Sequence, residues 1–334
     1  MNYIIFGGSG FIGTHLIKLL KQECIKDGDK IYDLDIVMPG EEGVVPGVVE
    51  KIEGVEYVRL DVRKEIEFDF QPTSNDIIFN LAAVHRTPGH PDYAYFETNI
   101  LGAENVTAFA EKHNIKKILF TSSIAPYGAA EELKTEETIP TPNTPYGISK
   151  LTAEKIHMIW QAKNSERELT IVRPGIVYGK GEHGNMTRLY WGQKKHYFVY
   201  TGRKDTIKAC IYVKELVRFF KYRMIDNDYP GVDIFNCTFE PAYNIEQICT
   251  TMQKATGMKR HIPLIPGGLL MTVARIVGPI GGKKIGIHPA RVKKLIVSTN
   301  ICGKKLAATD YKFHYTLEES FRDWFEDCDR MGLK

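Results

Sequence analysis

A tyrosine and a lysine lie four residues apart at Tyr146 and Lys150, directly after Thr144-Pro145. Threonine is a favoured helix N-cap and proline is favoured at the first helical position, so we expect a helix to begin here. The two side chains then share one helix face. A lysine cation beside a phenol stabilises the phenolate, which would let the tyrosine exchange protons nearer to neutral pH than its usual pKa of about 10. An exposed helix turn with an incidental tyrosine and lysine would have the same spacing.

A glycine-rich turn near the N-terminus is the second chemical feature. Residues 2–6 form an apolar run typical of a strand buried on both faces, and residues 14–22 carry apolar residues at helical spacing. The turn between them includes Gly7, Gly10, Phe11, Ile12 and Gly13. The three glycines permit a tight turn, a close approach of phosphate and close packing of helix on strand. A strand, a glycine turn and a helix N-terminus together predict a pyrophosphate site for a dinucleotide.

An acidic residue at the end of the second predicted strand indicates which dinucleotide binds. This strand covers residues 30–36 and carries Asp33 and Asp35. An acid about 20 residues beyond the glycines binds the ribose 2′-hydroxyl in dinucleotide-binding folds. Asp35 lies at the strand's end, so we favour it over Asp33, although a solvated strand-end acid is the alternative. A carboxylate there repels a 2′-phosphate, and no Arg or Lys follows within several residues, which favours NAD over NADP.

Strands and helices alternate over the first 180 residues, which predicts a doubly wound parallel α/β sheet. Further strands are predicted at 55–60, 76–81, 117–121 and 169–173, with a long helix at 95–113 and a late strand at 232–237. We expect the late strand to return to the main sheet. The pattern loosens after residue 180, which indicates a smaller substrate-covering portion.

Residues that follow these strands are candidates for ligand contact, because open α/β sheets bind ligands at the carboxyl ends of their strands. Asp61 and Val62 could meet the adenine edge of the cofactor. After the fourth strand, small residues would let the backbone approach the cofactor closely, in the segment Asn80-Leu81-Ala82-Ala83. His85 and Arg86 in the next loop could touch substrate, although an ordinary surface loop has the same composition.

Composition argues against several other classes of protein. Net charge is +3 without a long run of one sign, so there is no nucleic-acid footprint. Six scattered cysteines without a C-x-x-C pair predict a reduced, cytoplasmic chain with no disulfide framework and no metal site. The N-terminus lacks signal-peptide features. Residues 262–282 are apolar but interrupted by three prolines and an arginine, which favours a buried or substrate-covering helix over a membrane span, with shallow membrane contact as an alternative.

Six motifs together resemble the extended short-chain dehydrogenase/reductases, and more narrowly the NAD-dependent epimerase/dehydratase branch that acts on nucleotide sugars. They are Gly7-x-x-Gly10-x-x-Gly13, Asp61-Val62-Arg63, Asn80-Leu81-Ala82-Ala83, Ser122-Ser123, Tyr146-x-x-x-Lys150 and Arg173-Pro174. The resemblance implies a Rossmann-type NAD-binding domain at residues 1–180 and a substrate-binding portion at 181–334.

The same resemblance implies individual roles. Tyr146 would transfer protons, while Lys150 would bind the nicotinamide ribose and lower the pKa of the tyrosine. Ser123 would hydrogen-bond the reacting hydroxyl, Pro174 would contact the nicotinamide and Asn99 would support the active-site backbone. The further residues expected at the cofactor are Leu81, Ala82, Ala83, Asp61, Val62 and Ser122.

Three departures from the family pattern bear on the substrate. Lys208 occupies the place of a diphosphate-binding arginine, so bidentate phosphate recognition is not expected, and Arg291 is a candidate for a second phosphate contact. The Asp-Glu pair of the family's 4,6-dehydratases is replaced by Ile124-Ala125, which argues against elimination of water. Ile176 stands where the family often has asparagine before Val-Tyr-Gly.

The leading functional prediction is epimerisation of a nucleotide sugar, as in a UDP-sugar 4-epimerase, through transient transfer of hydride to NAD with Tyr146 as acid and base. A net NAD(P)-dependent reductase or dehydrogenase of a keto sugar or hydroxysteroid-like substrate shares these motifs. A non-catalytic NAD-binding regulator is the third alternative, against which Ser123, Tyr146 and Lys150 argue. By resemblance we also expect a homodimer that pairs through the Tyr146 helix and the long helix before it, and a role in polysaccharide biosynthesis.

Overall fold

A seven-stranded parallel sheet with helices on both faces forms the larger part of the molecule. The computed structural model describes residues 1–43, 47–85, 89–268 and 296–334. The sheet strands are β1 (Asn2–Phe6), β2 (Lys30–Asp35), β3 (Glu56–Arg59), β4 (Ile77–Asn80), β5 (Lys117–Thr121), β7 (Glu168–Pro174) and β11 (Gly231–Cys237). Their order is β3-β2-β1-β4-β5-β7-β11, with every neighbouring pair parallel. The order reverses beside β1, where doubly wound folds bind their ligands.

Helices and short strand pairs complete the described elements. The helices are α1 (Phe11–Glu23), α2 (Asp92–Lys112), α3 (Pro145–Ala162), α4 (Asn185–Lys194), α5 (Val213–Met224), α6 (Ile245–Thr256), α7 (Lys304–Ala307) and α8 (Leu317–Asp327). The parallel pairs are β6 (Ala130–Lys134) with β13 (Thr299–Ile301), β8 (Ile176–Tyr178) with β10 (Cys210–Tyr212), and β9 (Tyr200–Thr201) with β12 (Leu264–Ile265).

Apolar residues on both faces of the sheet explain why its strands read as continuous hydrophobic runs. In β1, Tyr3 and Ile5 pack into a core with α1 and α5, whereas Ile4 and Phe6 pack into the opposite core with α2 and α3. A third apolar cluster lies mostly within residues 178–333. Phe11 and Ile12, at the start of α1, pack against this third cluster. The glycine turn therefore lies where the sheet meets the C-terminal portion.

Helix α3 begins as its sequence predicts. Thr144 is the N-cap and its side chain accepts a hydrogen bond from the Gly147 N–H at 3.1 Å, while Pro145 occupies the first helical position. The face turned to the sheet includes Lys150, Glu154 and His157, all of which are buried. Buried charged and polar groups are costly unless they have hydrogen-bond or ion-pair partners. We therefore expect a network of such partners on this face of α3.

The predicted doubly wound α/β fold is confirmed. Observed strand limits match the predicted ones to within one residue at each end, whereas α1 and α2 each begin three residues earlier than predicted, at Phe11 and Asp92. The late strand β11 pairs with β7 along its whole length, from Gly231 opposite Glu168 to Cys237 opposite Pro174. The division at residue 180 stays a prediction. In the described part of the chain, no helix combines the length and the apolar character needed to cross a membrane.

Candidate active site

The phenol of Tyr146 meets the hydroxyl of Ser123 at the carboxyl edge of the sheet. Tyr146 lies in the first turn of α3, and Ser123 lies just beyond β5. The Ser123 hydroxyl lies close enough to the phenol to act on it as a hydrogen-bonding neighbour and to lower its pKa. The Ser123 Oγ also accepts the Ala125 N–H at 3.1 Å, which fixes its orientation. A substrate hydroxyl that reached this point could hydrogen-bond both oxygens, which is the geometry that general acid–base catalysis requires.

The electrostatic environment of Tyr146 differs from the expectation that Lys150 lowers its pKa. Burial raises the pKa of Tyr146, the hydrogen bond from Ser123 opposes this, and the neighbouring Tyr95 adds to the rise. The lysine side chain is itself only 1% exposed, and burial lowers the pKa of Lys150 to about 7, partly opposed by the charge of Glu154. With a pKa of about 7, the lysine supplies less positive charge to the phenol than the sequence predicted.

An aromatic stack holds Lys150 in place. Its Nζ lies 4.4 Å from the centroid of the Phe120 ring, and that ring also stacks on His157 with centroids 4.2 Å apart. Burial lowers the pKa of His157 to about 4, so the imidazole is neutral at physiological pH. Its two ring nitrogens contact the Ala153 carbonyl at 2.8 Å and the Asn80 amide at 3.2 Å. A neutral ring fits this position, because a second cation would repel Lys150.

A buried ion pair lies one turn beyond Lys150. Glu154 Oε2 accepts from Arg173 at 2.6 Å, and Glu154 Oε1 accepts from Arg173 at 2.8 Å and from the Ser122 hydroxyl at 2.5 Å. Arg173 also donates to the Tyr127 hydroxyl at 2.6 Å, and Tyr127 donates to Asn236 at 3.0 Å. The network thus links α3, β5, β7 and β11 directly beneath Ser123 and Lys150.

Asn99 supports the backbone on the opposite side of the site. Its side-chain amide accepts the Val84 N–H at 2.9 Å and donates to the Val84 carbonyl at 3.1 Å. It also donates to Ser149 at 2.9 Å, and the Ser149 hydroxyl donates to the Tyr146 carbonyl at 2.9 Å. The segment that leaves β4 is therefore tied to the first turn of α3, which carries the reacting phenol.

The glycine turn has the shape of a pyrophosphate cradle. Gly7 adopts φ +81° and packs so closely on Ala82 that a Cβ would lie 2.9 Å from its backbone nitrogen. A Cβ on Gly13 would lie 2.5 Å from the Gly8 backbone. Gly10 is the N-cap of α1 and provides no side-chain cap, so the first N–H groups of the helix are left to meet an anion. These residues fit the diphosphate of NAD.

Two aspartates at the end of β2 have different surroundings. Asp35 is half-buried and its Oδ1 accepts the Val37 N–H at 3.1 Å. Burial raises its pKa. Asp33 is fully buried and its Oδ2 accepts the Ser9 hydroxyl at 2.9 Å. Asp35 is thus the more accessible of the two, and its role as the ribose ligand stays a prediction, whereas Asp33 faces the glycine turn from below.

The other residues expected at the cofactor lie along the same edge of the sheet. Asp61 forms a bidentate ion pair with Arg63, which lowers the pKa of the carboxyl, and Val62 is buried against Gly102. The segment after β4 consists of Leu81, Ala82 and Ala83, and the backbone of Leu81 and Ala82 packs against Gly7 of the turn. Pro174 ends β7, and its carbonyl accepts the Ile124 N–H at 3.2 Å. Ser122 faces away from this edge, toward Glu154.

The structure describes only some of the residues predicted to contact substrate. Lys208 is buried, its Nζ donates to the Val297 carbonyl at 2.8 Å, and burial lowers its pKa to about 8. His85 lies in the segment after Asn80. Arg86, Arg291 and most of the apolar 262–282 stretch lie outside the described residues. Ile124 packs in an apolar cluster with Tyr127, so the dehydratase carboxylate position is occupied by a hydrophobic contact.

Four residues of the site escaped the sequence interpretation: Ser149, Glu154, His157 and Asn236. Glu154 and His157 lie at helical spacing after Lys150, so the pattern Tyr-x-x-x-Lys-x-x-x-Glu-x-x-His was the available signal. Asn236 comes from a strand more than 80 residues later in the chain, and no local pattern connects it with Tyr127.

The fold and this site together define a Rossmann-type dinucleotide enzyme in which a tyrosine, a serine and a lysine converge where the nicotinamide would lie. A family model for the NAD-dependent epimerase/dehydratase family matches residues 3–237. The chain belongs to this family. NAD is therefore its cofactor, and the predicted family, cofactor and enzyme class are confirmed.

Individual relatives agree with this assignment. The chain is 30% identical over 323 residues to the N-acetyl-alpha-D-glucosaminyl-diphospho-ditrans,octacis-undecaprenol 4-epimerase of Escherichia coli O157:H7, covering 95% of this chain and 92% of that protein. It is 28% identical to a bifunctional UDP-glucose 4-epimerase and UDP-xylose 4-epimerase of Pisum sativum, covering 96% and 93%. The fold resembles that of the UDP-glucose 4-epimerase of Thermus thermophilus in complex with NAD, with a TM-score of 0.71, 18% identity and 98% coverage of each chain.

Proposed function

We propose that this protein inverts C4 of a sugar attached to a diphosphate, with Tyr146 as the acid and base. The observation that carries the proposal is the closeness of the Ser123 hydroxyl to the Tyr146 phenol, on the helix that also carries the buried Lys150. The same edge of the sheet presents the pyrophosphate turn. The epimerase relatives support this proposal over a net reductase or dehydrogenase.

The chain's own residues account for the proton chemistry. NAD⁺, when bound, supplies the acceptor and then the donor of the hydride. Tyr146 takes the proton of the C4 hydroxyl while Ser123 holds that oxygen in place. Because burial raises the pKa of the phenol, the phenolate that accepts this proton needs stabilisation from the Ser123 hydroxyl and from the charged form of Lys150. The 4-keto sugar turns in the site and presents its other face, and Tyr146 then returns the proton to the new C4 oxygen. Lys150 lies on the same helix face as Tyr146, where its ammonium would bind the nicotinamide ribose.

Two candidate substrates differ in the group to which the sugar is attached. UDP is the carrier named for most of the relatives, which supports a nucleotide sugar. A polyprenyl diphosphate carrier is the second candidate, because the relative that matches almost the whole chain at 30% identity acts on an undecaprenyl-linked sugar. Both carriers present a diphosphate next to the sugar, so Lys208 could contact either one. A cytoplasmic enzyme that supplies sugars for polysaccharide assembly is compatible with both.

A substrate panel without added reductant tests this proposal. The purified holoenzyme is incubated with UDP-, GDP-, CDP- and dTDP-sugars and, in detergent, with polyprenyl-diphospho-N-acetylhexosamine. We expect one carrier class to yield the C4 epimer, resolved by chromatography, with no net change in NADH absorbance. Stoichiometric consumption of added NADH with a single reduced or oxidised product would instead identify a net oxidoreductase.

We further propose a homodimer that pairs through α2 and α3. Both helices expose apolar side chains on the face turned away from the sheet: Leu101 is 42% exposed, Ile148 is 42% exposed and Ile159 is 62% exposed. Ile156, also on α3, packs into the core below the helix. A four-helix interface between two copies would cover this exposed face, which favours association through the hydrophobic effect.

Charge substitution on that face should separate the subunits. The double variant Leu101→Glu/Ile159→Glu should elute as a monomer, with its mass measured by light scattering, because two buried glutamates per subunit oppose association. Ile139→Glu is the matched control, since Ile139 is exposed and lies on neither helix. A monomeric wild-type protein, or a control variant that dissociates equally, would refute the proposed interface.

A further inference from the structure

Asp33 lies directly beneath the glycine turn and touches almost no solvent. It is 1% exposed, and its neighbours across the sheet are Ile5 on β1 and Tyr57 on β3. Its Oδ2 accepts the Ser9 hydroxyl at 2.9 Å. The Oδ1 atom is buried and has no hydrogen-bond partner among the described residues. A carboxylate oxygen in that state is costly unless it carries a proton or finds a donor.

The contact between Asp33 and the turn is close. A Cβ added to Gly8 would lie 2.4 Å from Asp33 Oδ1, so the turn is built around this carboxyl group. The Ser9 hydroxyl donates to its Oδ2, and the backbone N–H groups of Gly8 and Ser9 are near enough to lower its pKa. These N–H groups belong to the segment that receives the pyrophosphate. A negative charge on Asp33 would therefore lie close to the negative charge of a bound pyrophosphate.

The balance of charges around Asp33 allows it to change protonation state near neutral pH. Burial raises the pKa of Asp33 to about 7, hydrogen bonds from Ser9 and Gly8 oppose the rise, and the charge of Asp35 adds to it. The titratable groups that face it are Asp35 on its own strand and the phenol of Tyr57 on β3. Its neighbour on β1, Ile5, carries no charge.

We propose that Asp33 is a positioning residue for the cofactor which must be protonated for tight binding of NAD, so that the protein takes up a proton when NAD binds. Protonation removes the like charge below the pyrophosphate and neutralises the buried Oδ1, while the Ser9 contact is kept. By linkage, a bound pyrophosphate raises the pKa of Asp33 further. Affinity for NAD is then highest below the pKa of the free site and falls as pH rises through it. Only the binding of NAD enters here, so the identity of the sugar proposed above has no influence on the outcome.

Release of NAD as a function of pH tests the proposal. Holoenzyme is dialysed against graded NAD concentrations at about pH 6 and about pH 8.5, and the retained NAD is measured. If the pyrophosphate raises the pKa of Asp33 by about one unit, the Kd of the wild type rises about tenfold between these two values. Asp33→Asn keeps an acceptor for Ser9 but cannot ionise, so its Kd should change less than about twofold, since no linked proton remains. A flat wild-type profile, or the same slope in Asp33→Asn, overturns the proposal.

A second variant and a stability measurement keep the test valid if Asp33→Asn folds poorly. Ser9→Ala removes a group that favours the charged form, so the fall in affinity should move to higher pH; an unchanged midpoint contradicts the proposal. The raised pKa also means that stability from the protonated form is lost as pH rises through about 7. Asp33→Asn should therefore increase Tm relative to wild type more at about pH 8.5 than at about pH 5. An equal effect at both values would contradict the assigned titration.

Discussion

Replacing Tyr146 with phenylalanine should lower turnover of the sugar substrate by a factor of about 10² to 10⁴, the usual contribution of a positioned acid–base group. The variant removes one oxygen and leaves the ring against Tyr95, where the centroids are 6.1 Å apart. Bound NAD should be retained, because the glycine turn and Asp35 are untouched. Initial rates of C4 epimerisation and the NAD content of the purified protein together measure both effects.

Tyr197→Phe is the matched control for this experiment. Tyr197 is exposed and follows α4, so loss of its hydroxyl should leave turnover unchanged. Full activity in Tyr146→Phe would remove the tyrosine from the mechanism. Loss of NAD together with activity would indicate a structural effect of the substitution and would leave the acid–base role without support.

Removing Glu154 should have the largest effect on stability. Arg173 and Glu154 are both buried, and Glu154→Ala would leave the guanidinium with an uncompensated charge and the Ser122 hydroxyl without its acceptor. Breaking a buried pair by removing one partner costs about 3–5 kcal/mol. We therefore expect the free energy of unfolding, measured by denaturant titration, to fall by about that amount.

Two controls test whether the loss of stability is specific to the buried pair of Glu154 and Arg173. Glu67→Ala breaks the exposed pair with Lys112 and should change the free energy of unfolding by no more than about 1 kcal/mol. The double variant Glu154→Met/Arg173→Met removes both charges and should be more stable than Glu154→Ala alone, because no unpaired charge remains. If Glu67→Ala and Glu154→Ala cost the same, the network would have no special importance for the fold.

Local patterns in the sequence were sufficient to predict the sheet and the helix that carries Tyr146 and Lys150. The continuous apolar runs of β1 and β5 identify strands buried on both faces, and Thr144-Pro145 identifies the start of α3. Spacing within one helix then places Tyr146 and Lys150 on one face. These inferences succeed because each depends on neighbours within a few residues.

The electrostatics of the site depend on distant parts of the chain and were not predictable in the same way. The low pKa of Lys150 arises from burial against Phe120, and the raised pKa of Tyr146 arises from burial near Tyr95. Asp33 was considered only as a ribose ligand, since its burial beneath Gly8 is a tertiary property. The substrate contacts expected at Arg86 and Arg291 remain predictions.

Strand β11 has a consequence for how the chain folds during synthesis. It is the outermost partner of β7 and supplies Asn236 to the buried network beneath the reacting tyrosine. Until residue 237 has left the ribosome, β7 has an open edge, and such an edge invites pairing with other chains. A fragment that ends at residue 180 would therefore carry every predicted NAD-binding residue and still be prone to aggregate. The buried network beneath Tyr146 is complete only when Asn236, in the second half of the polypeptide, has been synthesised.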